Sequence, residues 1–221
     1  MTQHIVITGA NRGIGLALAT QFKQRGDNVT AVCRKASEEL KALGVSIIEN
    51  IDVTHADSIS ELSQQLSGHS IDILINNAGL LEREHLGSLS TATIEAQFKV
   101  NAMGPLLVTD ALRDNLHKGS KVIMITSRMG SMADNGSGAY YGYRMSKAAL
   151  NAAGVSLAND LKDDGIAVAM LHPGFVQTEM VNNAGDISAG TAAERLIQRI
   201  DELTIDTTGQ FKHSNGDTLP W

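Results

Sequence analysis

Cysteine, proline and long apolar runs are scarce in this sequence of 221 residues, and each absence argues against a class of protein. Cys33 is the only cysteine, so no intramolecular disulfide can form, which favours a reducing compartment. The three prolines provide no Pro-rich linker between domains. No apolar run approaches the roughly 18 residues of a membrane span, so we expect no membrane-spanning segment.

Positive charge is scarce as well, because 18 Lys and Arg stand against 24 Asp and Glu and the formal net charge is −6. No basic block interrupts the chain, which argues against a nucleic-acid partner or an anionic membrane surface. A strand-like run begins near Ile5, where a secretory leader would place a charged region and then an apolar one. We therefore expect a cytoplasmic protein without a leader.

Short apolar runs alternate with longer segments of helical periodicity along the chain. We predict strands at Ile5–Ile7, Val29–Cys33, Ser46–Glu49, Ile71–Ile75, Lys121–Thr126, Ala167–Leu171 and near Gly209–Lys212. Several of these runs are apolar on consecutive residues, which is typical of strands covered on both faces. We predict helices at Gly15–Arg25, Ser37–Leu43, Ala56–Leu66, Thr91–Leu116, Tyr141–Asp163 and Ala192–Leu203. The alternation favours an α/β fold: a single domain over residues 1–221 with a doubly wound parallel sheet of about seven strands, as in the Rossmann fold.

A long polar segment near the carboxyl end has neither strand nor helix periodicity. Thr178–Gly190 is rich in small residues, and loops of this length inside compact domains are often lids. We therefore predict a substrate lid over about residues 178–203. An ordinary surface connection is the alternative.

Residues 8–15, TGANRGIG, connect the first predicted strand to the first helix. Glycines in such a turn let backbone N–H groups approach a pyrophosphate at the positive end of the helix. The spacing is Gly-x-x-x-Gly-x-Gly and differs from the common dinucleotide fingerprint, so a simple turn is the alternative. The loop predicts nucleotide contacts from Gly9, Asn11, Arg12, Gly13, Ile14 and Gly15.

The end of the second predicted strand indicates which dinucleotide is bound. An acidic residue at this point selects NAD, whereas an arginine accommodates the 2′-phosphate of NADP. Here Arg34 follows Cys33 directly, and Arg12 could reach the same phosphate from the glycine-rich loop. Unless both arginines are solvated surface charges, they favour NADP(H). Asp52, after the third strand, could bind the adenine amino group or could simply cap the turn before Thr54.

Tyr143 and Lys147 are four residues apart in a predicted helix and therefore share one face. A free phenol has a pKa of about 10, and a neighbouring ammonium lowers it toward the range of a useful general acid or base. Tyr140 and Arg144 have the same spacing, so spacing alone does not decide between the two pairs. No cluster of His, Cys and carboxylates has metal-ligand spacing, so we predict no metal site.

Ser127 lies just beyond the fifth predicted strand. Ligands in doubly wound sheets bind outside the carboxyl ends of the strands, so the Ser127 hydroxyl could hydrogen-bond a substrate carbonyl. A capping role at the strand end is the alternative.

In combination, the motifs resemble those of the short-chain dehydrogenase/reductase family. TGANRGIG, Asn76-Asn77-Ala78-Gly79, Asn101, Ser127, YRMSK at 143–147 and Pro173-Gly174 follow one another in the family's order. The resemblance covers nearly the whole chain, and YRMSKAALN and the NGDTLPW ending are most similar to the carbonyl-reductase branch that includes the Sniffer and C-factor-like proteins. Ser127 and Tyr143 are 16 residues apart, slightly more than is usual in the family. We expect the extra residues, within 132–138, to shape the rim of the pocket.

The resemblance implies a role for each member of a catalytic tetrad. Tyr143 would be the acid/base, Lys147 would lower its pKa and hold the nicotinamide ribose, Ser127 would orient the carbonyl, and Asn101 would hold a water in a proton relay. The segment 127–147 would thus carry most of the chemistry. The resemblance also implies cofactor contacts from Asp52, Val53, Asn77, Ala78, Gly79, Tyr143, Lys147, Pro173, Gly174, Val176 and Thr178.

The activity implied is the NADPH-dependent reduction of a small-molecule carbonyl compound, an aldehyde, ketone or quinone, by a homodimer or homotetramer. We expect substrate contacts from Ser127, Met129, Tyr140, Tyr143 and Met180, although methionines serve equally well as core filler. Two alternatives stay open. One is a nucleotide-binding signalling protein on the same fold, and the other is an NAD-dependent alcohol dehydrogenase that works oxidatively.

Overall fold

Seven parallel strands form one sheet in the computed structural model of the protein, which describes residues 2–221. The strands are β1 His4–Thr8, β2 Asn28–Val32, β3 Ser46–Ile48, β4 Ile71–Asn76, β5 Leu116–Ile125, β6 Ala167–His172 and β7 Gln210–His213. Their order in the sheet is β3-β2-β1-β4-β5-β6-β7. The first three strands therefore extend the sheet from β1 toward one edge, and β4 to β7 extend it from β1 toward the opposite edge. The predicted doubly wound α/β fold is confirmed, and ligands of such sheets bind where the direction reverses.

Helices cover both faces of the sheet, as the consecutive apolar residues of the strands predict. They are α1 Gly13–Arg25, α2 Glu38–Ala42, α3 Ala56–Gln65, α4 Thr91–Phe98, α5 Gly104–Ala111, α6 Tyr141–Asp160 and α7 Ala189–Glu202. Alternate residues of one strand enter two cores: Ile5 and Ile7 pack on the face that also buries Phe22 of α1, whereas Val6 packs on the face that buries Val108 of α5. None of the helices in residues 2–221 is long and apolar enough to cross a bilayer.

The predicted helix Thr91–Leu116 is wrong in its length and continuity. A π-helical turn, Lys99–Met103, separates α4 from α5, and α5 ends at Ala111. The apolar periodicity continues to Leu116 for a different reason, because that residue starts β5 and is buried opposite Ile71 of β4. β5 is accordingly longer than predicted.

The predicted lid region, about 178–203, contains two kinds of structure. α7 begins at Ala189 rather than at Ala192, since the Ser188 hydroxyl caps it by accepting a hydrogen bond from Thr191 N at 3.1 Å. Leu196 and Ile200 of α7 are fully buried in the core that also contains α1. The carboxyl part of the region is therefore an ordinary core helix, and a lid stays a prediction for residues 178–188.

Candidate active site

The carboxyl ends of β1, β4, β5 and β6 open into one cleft with a volume of about 1490 Å³. Most of the residues predicted to bind cofactor or substrate line this cleft: Gly9, Asn11, Arg12, Gly13, Ile14, Arg34, Asp52, Val53, Asn77, Ala78, Gly79, Ser127, Met129, Tyr140, Tyr143, Lys147, Pro173, Gly174, Val176, Thr178 and Met180. Two predicted residues, Gly15 and Asn101, are buried behind the cleft wall.

The glycine-rich loop is shaped by close contact with the segment that follows β4. Gly9 has a φ of +66°, and a Cβ there would lie 2.8 Å from Ala78 Cα. The Asn77 side chain donates hydrogen bonds to Thr8 O at 3.0 Å and to Gly9 O at 3.1 Å, which braces the loop from behind. No side chain caps α1, and its first turn contains no acidic residue. The positive end of α1 is therefore uncompensated and favours an anion in the cleft.

The two arginines predicted to bind a 2′-phosphate differ in their present partners. Arg12 forms a salt bridge of 2.5 Å with Glu179, which lies on the far side of the cleft at the start of the predicted lid. Arg34 is exposed at the end of β2, and no carboxylate of residues 2–221 lies within salt-bridge distance of it. The Arg34 guanidinium can therefore bind an anion without losing another contact, whereas Arg12 would first have to break its salt bridge with Glu179.

Asp52 holds the turn after β3. Its Oδ1 accepts hydrogen bonds from Thr54 N at 2.9 Å and from the Thr54 hydroxyl at 2.7 Å. Partial burial opposes ionisation, but these hydrogen bonds keep the pKa of Asp52 below its ordinary value. The turn role left open by the sequence is thus present. A contact with adenine stays a prediction.

Three polar groups of the predicted tetrad meet at the cleft wall where β5 ends and α6 begins. Tyr143 and Lys147 are both buried on one face of α6, and Lys147 Nζ lies 5.8 Å from the centroid of the Tyr143 ring. Ser127 follows β5 and caps a short 3-10 turn, Arg128–Gly130, that packs tightly against α6. A Cβ on Gly130 would lie only 2.7 Å from the carbonyl carbon of Lys147. This close packing fixes Ser127 relative to Tyr143.

The ionisation of Tyr143 and Lys147 is dominated by burial. Burial raises the pKa of Tyr143 to about 12, and the neighbouring Ser127 hydroxyl opposes this only in part. Burial also lowers the pKa of Lys147 to about 7, and its Nζ donates a hydrogen bond of 2.8 Å to Ile125 O. Desolvation of the phenolate sets the direction for Tyr143, and the lowering of its pKa by Lys147 stays a prediction. The phenol consequently keeps its proton at neutral pH.

The alternative pair, Tyr140 and Arg144, is not joined in the structure. The Arg144 guanidinium donates its hydrogen bonds to the rim of the cleft, residues 137–139, and to Met129 O. Tyr140 instead faces the His85 ring, with 6.4 Å between the ring centroids.

Asn101 lies in the π-helical turn and is fully buried. Its Oδ1 accepts a hydrogen bond from Leu80 N, and its Nδ2 donates to Leu80 O at 2.7 Å and to Ser146 Oγ at 3.0 Å. The amide therefore joins the segment after β4 to the π-helical turn and to α6. Both hydrogens of the Asn101 amide are used within the protein, and the predicted relay through a water stays a prediction.

Glu84 is a buried carboxylate in the loop after β4 that the sequence did not single out. It accepts hydrogen bonds from Gln97 Nε2 at 2.6 Å, from Thr93 Oγ1 at 3.0 Å and from Gly142 N at 3.1 Å. Its main-chain carbonyl accepts from the N–H of Tyr140, a residue in the left-handed region with a φ of 53°. Glu84 therefore fixes the start of α6, one turn from Tyr143. A single glutamate in a loop has no pattern by which a sequence could reveal this.

His172 is a second buried polar residue that lines the cleft. It ends β6 beside Pro173, and burial lowers its pKa to about 3, so the ring is neutral. Its Nδ1 has no hydrogen-bond partner among residues 2–221.

Comparison with known proteins places the chain among oxidoreductases. A sequence model of the family described as short chain dehydrogenase matches residues 3–189. The chain is 39% identical to 1-hydroxy-2-glutathionyl-2-methyl-3-butene dehydrogenase of Rhodococcus sp. strain AD45, over 98% of this chain and 99% of the relative. Its fold is similar to that of carbonyl reductase Sniffer of D. melanogaster, with a TM-score of 0.93, 27% identity and full coverage of both chains. A carbonyl reductase from Pseudomonas aeruginosa PAO1 in complex with NADP is similar with a TM-score of 0.86, 30% identity and full coverage of both chains.

Proposed function

The chain belongs to the short-chain dehydrogenase family of oxidoreductases, and from this premise we propose that it reduces a carbonyl group to an alcohol with NADPH. The observation that carries the proposal is the buried Tyr143–Lys147 pair beside Ser127, in the same cleft as the glycine-rich loop. The structure of a carbonyl reductase of similar fold was solved in complex with NADP, which supports the choice of cofactor. Absorbance measurements of NADPH consumption with a panel of aldehydes, ketones and quinones, run beside NADH, test it.

The residues present fit a dinucleotide. Gly9 and Gly15 leave room where a Cβ would strike the backbone, and the uncompensated end of α1 faces the cleft. We propose that this end binds the pyrophosphate, that Asp52 and Val53 border the adenine, and that the segment 173–178 borders the nicotinamide.

The chemistry follows from the protonation states of the cleft wall. When bound, NADPH supplies the hydride that reduces the carbonyl carbon. Ser127 and Tyr143 hydrogen-bond the carbonyl oxygen, and Tyr143 transfers its phenolic proton to that oxygen as the negative charge develops. The phenolate formed on Tyr143 is stabilised by the ammonium form of Lys147, which a pKa of about 7 keeps accessible at neutral pH.

Arg34 is proposed to select NADPH over NADH. Replacing Arg34 with Gln should raise the KM for NADPH about tenfold, because a charge-assisted contact with the 2′-phosphate is lost, and should change the KM for NADH less than twofold. Initial rates at varied cofactor concentration measure both values.

Lys35 provides the matched control for Arg34. It is the next residue, is equally exposed and does not line the cleft, so Lys35→Gln should leave both KM values unchanged. Equal effects of Arg34→Gln on the two cofactors would contradict the assignment.

A second candidate function is oxidation of an alcohol. The Rhodococcus relative is named as a dehydrogenase of a glutathionyl alcohol and is 39% identical to this chain. The same residues could serve this direction, with Tyr143 accepting the proton. A strong kinetic preference for NAD⁺ and an alcohol would favour this candidate and contradict the role of Arg34.

We also propose a homodimer or homotetramer built on α5 and α6. Met103, Leu106 and Leu107 are exposed along the π-helical turn and α5, and Met145 is half exposed on α6. Gly154 of α6 is explained by packing within the subunit, because a Cβ there would strike the Met170 side chain. It is therefore no evidence for a contact between subunits. The exposed apolar side chains therefore carry the proposal.

Leu107→Glu should convert the oligomer to smaller species, since a carboxylate is costly to bury in an apolar interface. Light scattering coupled to gel filtration measures the mass. Leu89→Glu, at another exposed leucine that lies outside these elements, is the control and should leave the mass unchanged.

A further inference from the structure

Arg144 is a cation held in place by neutral groups. Its Nε donates to Gly138 O and to Ala139 O, both at 3.2 Å, Nη2 donates to Ser137 Oγ at 2.9 Å, and Nη1 donates to Met129 O at 3.4 Å. No carboxylate of residues 2–221 lies within salt-bridge distance of the guanidinium. These bonds use the Nε hydrogen and one hydrogen on each Nη, so one N–H remains free on each Nη.

The charge of Arg144 is not cancelled by its neighbours. Asp134, the carboxylate that shares this end of the cleft, is bound by Arg128 Nε at 2.7 Å, so these two charges compensate each other. His172 is neutral because of its burial. Arg128, Asp134 and Arg144 together therefore leave one net positive charge at this end of the cleft, next to Met129.

Arg144 lies within reach of a molecule bound at the reacting groups. It follows Tyr143 in the chain, and Met129 connects it to Ser127: Met129 N donates to Ser127 Oγ at 3.1 Å, while Met129 O accepts from Arg144. The backbone dimensions of one residue place the guanidinium no more than about 10 Å from Ser127 Oγ. A molecule with a carbonyl and a carboxylate at opposite ends of one benzene ring, together with one hydrogen bond to the protein, can span the distance between Ser127 Oγ and the guanidinium.

We propose that Arg144 is an anion subsite and that the substrate is a carbonyl compound with an apolar body and a carboxylate. The two free N–H groups can donate two hydrogen bonds to one carboxylate. Because the bonds to the rim already hold the Arg144 side chain in one conformation, binding costs little further side-chain entropy. The inference rests on the proposed carbonyl reduction and adds to it the class of substrate.

Two substrates that differ in one charge test the subsite. 4-Carboxybenzaldehyde and methyl 4-formylbenzoate share the ring and the aldehyde, and we expect a kcat/KM about tenfold higher for the carboxylate. Arg144→Gln should bring the ratio of the two kcat/KM values close to one, whereas Arg144→Lys, which keeps the charge, should retain part of the preference. The measurement is NADPH consumption by each variant, with its melting temperature recorded to confirm folding.

Arg83 is the matched control, because it is another arginine that lines the cleft but makes no side-chain hydrogen bond to residues 2–221. Arg83→Gln should change the preference less than twofold, since an exposed mobile charge is screened. An Arg144→Gln variant that keeps the preference, or that lowers both substrates alike, overturns the proposal and leaves Arg144 as a brace of the rim. So does an Arg83→Gln variant that abolishes the preference.

A binding measurement separates this inference from the proposed function. Calorimetry with NADP⁺ present compares 4-(hydroxymethyl)benzoate with its methyl ester, and needs no turnover. Tighter binding of the carboxylate that is lost in Arg144→Gln supports the subsite even if no carbonyl is reduced. Equal binding of the two alcohols overturns the subsite even if carbonyl reduction is established.

Discussion

Replacing Tyr143 with Phe should lower kcat for NADPH-dependent carbonyl reduction by about a thousandfold while NADPH binds with nearly unchanged affinity. The hydroxyl that is removed is the one that would supply the proton to the reduced oxygen. The ring itself stays buried in the wall of the cleft, so the variant removes little more than the hydroxyl and its contact with Ser127. Stopped-flow absorbance measures kcat, and quenching of protein or NADPH fluorescence measures binding.

Tyr141→Phe is the control for this experiment. Tyr141 begins the same helix, two residues away, and does not line the cleft, so its hydroxyl should be dispensable. Turnover retained in Tyr143→Phe would remove Tyr143 from the mechanism. Loss of NADPH binding would show that the variant disturbs the cleft rather than the proton transfer.

The protonation state of Tyr143 suits the proposed donation of a proton. Burial raises the pKa of Tyr143 to about 12, so the phenol is protonated at neutral pH. In the proposed reduction, the phenolate that forms after proton transfer would be the anionic partner that the Lys147 ammonium lacks beforehand. The lowering of the phenol pKa by the Lys147 ammonium stays a prediction. In the proposed reduction, its stabilising effect would act in the step in which the phenolate charge appears.

The fold could be predicted because its signals are local. Ile5, Val6 and Ile7 are apolar in succession, and the structure divides them between two cores on opposite faces of the sheet. The spacing of the glycine-rich loop is also a local signal, although the contacts that leave no room for a Cβ at Gly9 and Gly15 come partly from Ala78 and Asn77. The prediction of one helix over Thr91–Leu116 is wrong because it also relied on a local signal. Leu116 continues the apolar periodicity of a helix, but it is buried because it pairs with β4, and periodicity alone does not distinguish these two causes of burial.

The parts of the site that the sequence did not predict depend on partners far along the chain. Glu84 binds Gly142 across 58 residues, and Arg12 meets Glu179 across 167 residues. The sequence pairs Arg144 only with Tyr140, which lies four residues earlier. Its position in the cleft follows from the path of the rim loop, which no spacing rule describes. Pair contacts of this kind require the packed fold.

Gly15→Ala should give the second largest effect, a loss of NADPH binding of more than tenfold together with a lower free energy of unfolding. A Cβ at Gly15 would lie 2.3 Å from Gly9 O and 2.5 Å from Asn77 Nδ2, so the glycine-rich loop would have to shift. Overpacking of this kind costs about 1–3 kcal/mol. Alanine is the better helix former by about 1 kcal/mol, so the observed net loss would be smaller than the steric cost. Thermal unfolding and NADPH fluorescence titration measure the two effects.

Gly190→Ala isolates the steric part of this effect. Gly190 also lies in the first turn of a helix, but the atom nearest to its added Cβ would be Ser188 Oγ at 3.7 Å. This variant should therefore gain up to about 1 kcal/mol from helix propensity and bind NADPH normally. A Gly15→Ala variant that is stabilised like Gly190→Ala and still binds NADPH would mean that the contact with Asn77 does not shape the phosphate site. The dinucleotide would then have to bind elsewhere than at the start of α1, and the roles proposed for Arg34 and Tyr143 would lose their common geometric basis.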